Sequence, residues 1–494
     1  MAAGDSRSVL FYSGRWYCQI LFCVWISPCR HYTGADLALR RYSYALVRSL
    51  GVWRLPRVLD DNIPQPWRAR TTLVLTLTLV AIGLGNLQRM PYLIGEYGGG
   101  PFFLTYIVAL CLLSVPVMIA EVTLGSLGRG SPGLALHWAA SAANVDSRWR
   151  FLGMCQAMLA VVLAAGAALT AVWCLHWAGS LYSGELASAS AIDVADAFVV
   201  YVDDRAGRLM PLLLALAAAG LLSCLGIRFG MGFLAWACLP AVAITLFGVL
   251  DFVFVYGDLR PVEEFLFAKQ PSRWGIEGLY QATGAAMVTL GTGLGLGMAL
   301  GAQSPTGLPW GRSVLAVAVL DSSFMLITAV IATTLLFNAN VAPAPGLATV
   351  FVGLPYAFAN LPLGEVYGAL FFGALGVISW SVAALLLEPA VMLLGNEWGL
   401  GRVSGAILAA TLASVVAAVT LFADETAFIV VGGFITRWVL PASVLLTAVF
   451  TGWLLPRPIL RGELYREPYW LFRLWWWLLR WCVPPICFVW LIAA

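Results

Sequence analysis

Residues 71–103 read TTLVLTLTLVAIGLGNLQRMPYLIGEYGGGPFF, and this stretch decides the fold class. An apolar run long enough to begin a membrane crossing is interrupted at Gly83-Leu84-Gly85-Asn86 and then resumes. The same event recurs further along the chain, where Gly291-Thr292-Gly293-Leu294-Gly295 interrupts a second apolar run. Glycine permits backbone angles that other residues avoid, so such runs can unwind and leave amides and carbonyls without helical partners. Within a bilayer those groups survive only where protein buries them or where they line a cavity, and there carbonyls can hold a cation and amides an anion. One glycine run alone would be explained equally well by close helix packing through small residues. A matched pair points to a working site at the bilayer midplane.

Composition agrees with a membrane setting. Of 494 residues, 61% are hydrophobic and 11% charged, against roughly 25% charged in an average soluble domain. Stretches of about 20 apolar residues, the length of one crossing, recur from Thr71 to Ile492. The pattern predicts an all-α integral membrane fold of about eleven transmembrane helices: 71–92, 101–125, 151–181, 208–225 and 231–255, then 275–302, 313–338, 364–394, 403–423 and 428–455, then 469–492. The first and sixth carry the breaks. Each set holds an odd number of spans, so the two sets of five have opposite orientations, as in a 5+5 inverted repeat. The expected domains are a cytoplasmic extension over 1–66, or an assigned start too far upstream, and a transporter domain over 67–494. Within the latter lie a first repeat (71–255), a second repeat (275–455) and the additional helix.

Basic residues set the expected orientation. Segments placed inside carry 19 of the 28 Lys and Arg, and the outside loops carry five: Arg205, Arg208, Arg260, Lys269 and Arg273. The positive-inside rule then puts the N-terminus in the cytoplasm. With 27 Arg to one Lys and no Asn-x-Ser/Thr sequon, the expected location is a bacterial cytoplasmic membrane, crossed many times. The ten cysteines show no metal-ligand spacing, Cys18, Cys23 and Cys29 included. The three histidines form no catalytic arrangement, and the glycine runs follow no strand and carry no Walker lysine, so neither enzyme nor nucleotide chemistry is expected. Trp470, Trp475, Trp476, Trp477 and Trp481 read as an interfacial aromatic belt.

The segment from Trp67 to Gly130 resembles the sodium:neurotransmitter symporter family, in its bacterial leucine-transporter-like form, and reads as a divergent member. The resemblance is carried by Trp67 and Arg70, Gly83-Leu84-Gly85-Asn86, Arg89 before Pro91, Glu96 with Gly98-Gly99-Gly100, Pro116, and Glu121 followed by Gly125 and Gly128-Arg129. Leu354-Pro355 with Phe358, and Glu388-Pro389, extend it.

That resemblance implies sodium sites. The first would use the Ala81 carbonyl, the Asn86 side chain, Thr289 and, where the family usually offers a neutral Asn, Asp321. A buried carboxylate there could balance sodium directly or carry a proton, since intramembrane acids are functional by default. Its bland alternative is a carboxyl satisfied by Ser322 or Ser323. Chloride-dependent relatives hold their anion nearby; Tyr106 and Thr289 match two of those positions and Met325 does not. A fixed charge at Asp321 would repel the anion, so chloride independence is expected. The second site would use carbonyls of Leu79, Ile82 and Ile378 with the Ser381 hydroxyl, its fifth ligand lost to Val382. The expected cofactor is therefore sodium, at one site or two.

For substrate, the resemblance aims the amides of Leu84 and Gly85 at a carboxylate and the carbonyls of Ala81, Val288 and Thr289 at an amine. Ala167 stands where relatives place a carboxylate-binding Tyr, and Gly291 where they place a hydroxyl. The remaining lining, Leu163, Ala167, Val288, Leu294, Val382 and Leu386, suits a bulky apolar side chain. Arg89 fits the outer gate, but the acid expected to meet it falls near Gly432 or Gly433; Pro64 and Asn396 replace the inner pair. Glu121 reads as structural, and Arg437 as either snorkelling or facing the pathway. The expected partners are a small-molecule substrate and membrane lipid, with no nucleic acid. The expected function is sodium-coupled symport of a small hydrophobic or aromatic amino acid or related amine by alternating access. The rivals are proton coupling through Asp321 and a non-transporting membrane sensor.

Overall fold

The computed structural model describes residues 70–267, 274–305, 307–344, 346–423 and 425–493, with the side chains of 84–88, 227–228 and 425–429 outside the description. Trp67, Pro64 and the N-terminal cysteines lie outside the described residues. What is described is helical. Among these residues nine helices are long and apolar enough to cross a membrane, and two interrupted pairs occupy the places of the first and sixth predicted spans.

The chain runs as follows. The first interrupted pair is α1 (Arg70–Ala81) and α2 (Leu84–Glu96), followed by α3 (Gly100–Gly128), the short α4 (Pro132–Ala143), α5 (Arg150–Tyr182), α6 (Ala191–Asp203), α7 (Arg205–Cys224) and α8 (Gly232–Tyr256). After α9 (Arg260–Phe267) comes the second pair, α10 (Ile276–Thr289) and α11 (Leu296–Ala302), then α12 (Trp310–Asn338) and α13 (Leu354–Ala359). The last elements are α14 (Gly364–Trp398), α15 (Arg402–Phe422), α16 (Val430–Leu454), α17 (Arg457–Glu463) and α18 (Tyr469–Ala493). The long α5 and α14 pack along each other, α11 packs on α3, and α1 contacts α8, α12 and α14. The broken helices are thus surrounded by protein, which is what their unpaired backbone requires.

Proline shapes the spans in a regular way. Of six π-helical turns among the described residues, five end two residues before a proline: Pro116, Pro355, Pro441, Pro456 and Pro484. Proline lacks the N–H that would close the turn behind it and its ring pushes against the carbonyl four residues back, so the helix widens locally to re-pair its donors. At the first of these, Ser114 donates its hydroxyl to the carbonyl of Ala286, tying α3 to α10.

A buried ion pair organises one end of the bundle. Glu388 is fully buried and accepts two bonds from Arg402, at 3.0 and 2.7 Å, and one from Gln303 at 2.7 Å. Arg402 also donates to the carbonyl of Ser223, so α7, α14, α15 and the segment after α11 meet at one carboxylate.

The tryptophan cluster corrects its sequence reading in part. Trp470, Trp477 and Trp481 are exposed, as a belt requires, but Trp475 and Trp476 are buried. Trp475 donates from Nε1 to the carbonyl of Pro116 at 2.9 Å, and Arg457 lies over the ring of Trp476, 3.7 Å from its centre. Period alone does not tell which face of α18 meets α3. Trp475→Phe is expected to lower stability by about 1–2 kcal/mol, from a lost hydrogen bond and lost ring contact. Thermal unfolding of the purified protein checks this; an unchanged midpoint would show that the bond contributes nothing.

Candidate functional site

The two breaks meet, but they are built differently. In the sixth span, Gly291, Gly293 and Gly295 all take positive φ, at 67°, 81° and 67°, so each glycine of the Gly-x-Gly-x-Gly run occupies a left-handed position that a side chain would strain. In the first span, Gly83 has φ −84° and ψ 162°, an extended conformation open to any residue. The first break is thus a short extended kink, closed by Gly83 N–H donating to the Ala81 carbonyl at 2.7 Å. A Cβ at Gly291 would stand 3.3 Å from Val80 Cγ1, which places the second break against the end of α1.

Around this junction three oxygen-bearing side chains come together. Tyr106 of α3 donates to Thr289 at 3.2 Å and lies 3.4 Å from Asp321 Oδ2. Asp321 and Tyr106 are fully buried and Thr289 nearly so. Of the serines considered as partners for Asp321, Ser323 instead donates to the carbonyl of Val319.

The short helix α11 is held at both ends and along its side. Glu121, fully buried on α3, accepts from the amides of Gly293 at 2.6 Å and Gly297 at 3.2 Å. Arg129, in the left-handed conformation that ends α3, reaches the carbonyl of Ser304 beyond the other end of α11. Acid at the amide end and base at the carbonyl end both favour the helix dipole. Between them the backbones touch: a Cβ at Gly125 would sit 2.0 Å from the Met298 carbonyl oxygen, and one at Gly301 would sit 2.2 Å from that of Val122. From the opposite side, Ser443 of α16 donates to the Gly293 carbonyl at 2.7 Å.

Residues 65–193 match the model of the Sodium:neurotransmitter symporter family. An uncharacterized sodium-dependent transporter of Methanocaldococcus jannaschii is 23% identical over 440 residues, covering 85% of this chain and 88% of that protein. The uncharacterized sodium-dependent transporter YhdH of Bacillus subtilis is 23% identical over 459 residues, covering 86% and 96%. The crystal structure of MhsT in complex with L-phenylalanine superposes with a TM-score of 0.77 at 23% identity, over 87% of this chain and 99% of that one. The segment 65–193 of the chain is thus similar to the sodium:neurotransmitter symporter family, and the fold is that of MhsT. The chain's relatives are transporters rather than enzymes.

Within this fold the expected site residues fall as follows. Leu79, Ala81 and Ile82 are buried at the end of α1. Leu84, Gly85 and Asn86 form the first turn of α2, with their side chains outside the described residues. Leu163 and Ala167 on α5, Val288 at the end of α10 and Val382 on α14 are half-buried, while Leu294, Ile378, Ser381 and Leu386 are buried. Ser381 spends its hydroxyl proton on the Val377 carbonyl. Two further buried hydroxyls, Thr78 on α1 and Ser379 on α14, have no hydrogen-bond partner among the described residues. Sequence reasoning passed over both, because a lone Thr or Ser in an apolar helix ordinarily bonds back to its own backbone.

Arg89 lines a vestibule of about 700 Å3 together with Tyr280, Val288, Gly433 and Arg437. That places Arg437 and Gly433 of α16 on the wall of the same cavity as Arg89. At the opposite mouth Asn396 Oδ1 accepts from the Ser131 amide at 2.7 Å, and Arg150 of α5 bonds Glu397 of α14 at 2.6 Å. Asn396, expected at the inner gate, is thus engaged by backbone; Pro64, the other position of that expectation, lies outside the described residues. The ion pair is 39% and 18% exposed, so it is worth no more than about 1 kcal/mol of stability. Arg150→Ala is therefore expected to leave the melting midpoint almost unchanged and to speed amide hydrogen exchange across 129–134 severalfold. Unaltered exchange would exclude the pair as a closing contact.

Proposed function

We propose that this protein couples inward sodium movement to uptake of a small hydrophobic or aromatic amino acid, or a related amine, by alternating access. The observation that carries this reading is the junction itself: two broken helices in contact, with Tyr106, Thr289 and Asp321 clustered beside them. Hard oxygen ligands suit an alkali cation. The family's cation coupling and the phenylalanine bound to MhsT support the same direction. In this reading Ala81, Asn86, Thr289 and Asp321 bind the first sodium ion. A second would use Leu79, Ile82, Ile378 and Ser381. Leu84 and Gly85 face the substrate carboxylate, and Leu163, Ala167, Val288, Gly291, Leu294, Val382 and Leu386 form the pocket. The N-terminus is cytoplasmic, Arg89 belongs to the outer gate, and no chloride is needed. Cation and substrate must together favour one conformation, since a ligand shifts an equilibrium only by its differential affinity for the two states.

Asp321 supports a second reading, in which a proton replaces sodium. A thermal-shift screen against amino acids and amines in sodium, potassium or choline, at two pH values, separates them. Stabilisation by one ligand only in sodium supports symport and names the substrate. Stabilisation that follows pH and ignores the cation moves coupling to a proton at Asp321. Binding without solute counterflow in liposomes would instead make the protein a sensor.

A further inference from the structure

On the flank of the bundle, α5 and α16 leave between them a cavity of about 800 Å3, bordered by Leu491 of α18. Its walls are apolar, and Phe151, Trp438 and Leu446 among them are exposed outward, so the cavity opens toward the lipid phase. Four polar or charged residues line it: Gln156 and Ser443, both buried, and the exposed pair Asp146 and Arg148 near the start of α5.

Gln156 is 1% exposed, and its Nε2 donates to Ser443 Oγ and Thr447 Oγ1, each at 2.9 Å. Both hydroxyls have already spent their protons: Ser443 on the Gly293 carbonyl at 2.7 Å, Thr447 on the Ser443 carbonyl at 2.9 Å. Neither can donate to an amide oxygen, so the orientation of the Gln156 amide is fixed by its surroundings. Its Oε1 is left buried with no partner among the described residues. An unmet acceptor beside an apolar cavity selects a ligand with an apolar body and one donor.

We propose that this cavity binds a small, membrane-partitioned amphiphile bearing one O–H or N–H group, such as a medium-chain alkanol. The donor meets Gln156 Oε1, which the cavity wall must uncover as the ligand enters, and the apolar body lies against Leu159, Trp438 and Leu446. A phospholipid whose head group met Arg148 would still leave Gln156 Oε1 unmet. At about 1.5 Å per residue, Gln156 lies roughly 13 Å along the helical segment that begins at Ser147, deeper than an interfacial head group, and acyl chains carry no donor. The site also reaches the break in the sixth span, because Ser443, which receives Gln156, holds the carbonyl of Gly293 there. Binding at the cavity stands whether or not the sodium reading of the central site does.

Photolabelling of the full-length protein in nanodiscs with a diazirine-bearing 1-octanol tests this. Label is expected to concentrate in peptides covering 149–159 and 438–446. Unlabelled 1-octanol should displace it about fivefold more effectively than octane at equal membrane concentration, the worth of one hydrogen bond. Ala442→Trp, which fills the cavity and leaves the Gln156 network in place, should abolish the label at an unchanged melting midpoint; Leu159→Trp is the alternative filling variant if the first does not fold. Gln156→Leu should weaken displacement by 1-octanol to the level of octane. Label spread evenly over lipid-facing helices, equal competition by octane, or label that persists in the filled variants would each overturn the proposal.

Discussion

Glu121→Gln is expected to abolish measurable uptake while the protein still inserts and binds lipid. Both carboxylate oxygens of Glu121 accept backbone amides, from Gly293 and Gly297. A glutamine keeps one acceptor and turns an NH2 toward the other amide, so one donor faces another in a site with no exposure to water. Leaving a buried group unmet costs about 1–3 kcal/mol, and more where the lost bond was charge-assisted. That cost falls on the backbone of the sixth-helix break, so its geometry changes before global unfolding does. Glu121→Asp, one methylene shorter, should recover part of the activity if the charge matters more than the reach. Proteoliposome uptake with a parallel melting curve checks both variants; normal uptake by Glu121→Gln would reduce Glu121 to a packing residue.

Asp321→Asn is expected to raise the sodium concentration needed for half-maximal ligand stabilisation by tenfold to several hundredfold. At about 4 Å and an effective dielectric of about 20, a carboxylate contributes up to about 4 kcal/mol to a bound cation, an upper bound on what the neutral amide forfeits. Because the amide no longer repels an anion from Tyr106 and Thr289, chloride should begin to stimulate uptake in the variant and have no effect on the parent. If the coupling ion is a proton, the same substitution instead removes the pH dependence of uptake and leaves sodium irrelevant. A sodium titration identical in parent and variant would take Asp321 out of the ion site altogether.

The breaks were legible in the sequence because their cause is local. Positive φ at Gly291, Gly293 and Gly295 is a demand that only glycine meets cheaply, and it is written directly in the Gly-x-Gly-x-Gly spacing. The first break looked equivalent from its glycines, yet Gly83 is extended and needs no glycine for its φ. The helical spans were equally legible, since length and apolarity alone decide whether a segment can cross. Which face of α18 is buried was not legible, because aromatic residues serve a membrane interface and a helix contact equally well; hence the division of the Trp cluster between belt and core.

The sequence by itself therefore determined a helical membrane protein with two interrupted spans and an acid at 321. Tertiary structure alone decided what those residues meet. Tyr106 lies 183 residues from Thr289 and 215 from Asp321, and no periodicity carries information across such separations. Glu121 became the clamp on α11, Arg437 turned to the vestibule, and Gln156 was left with an unmet oxygen, each through contacts between helices distant in sequence. The physical reason is the same in each case. Backbone conformation is set by neighbours along the chain, whereas a buried polar side chain is defined by whichever donor or acceptor the packing of other helices brings within about 3 Å.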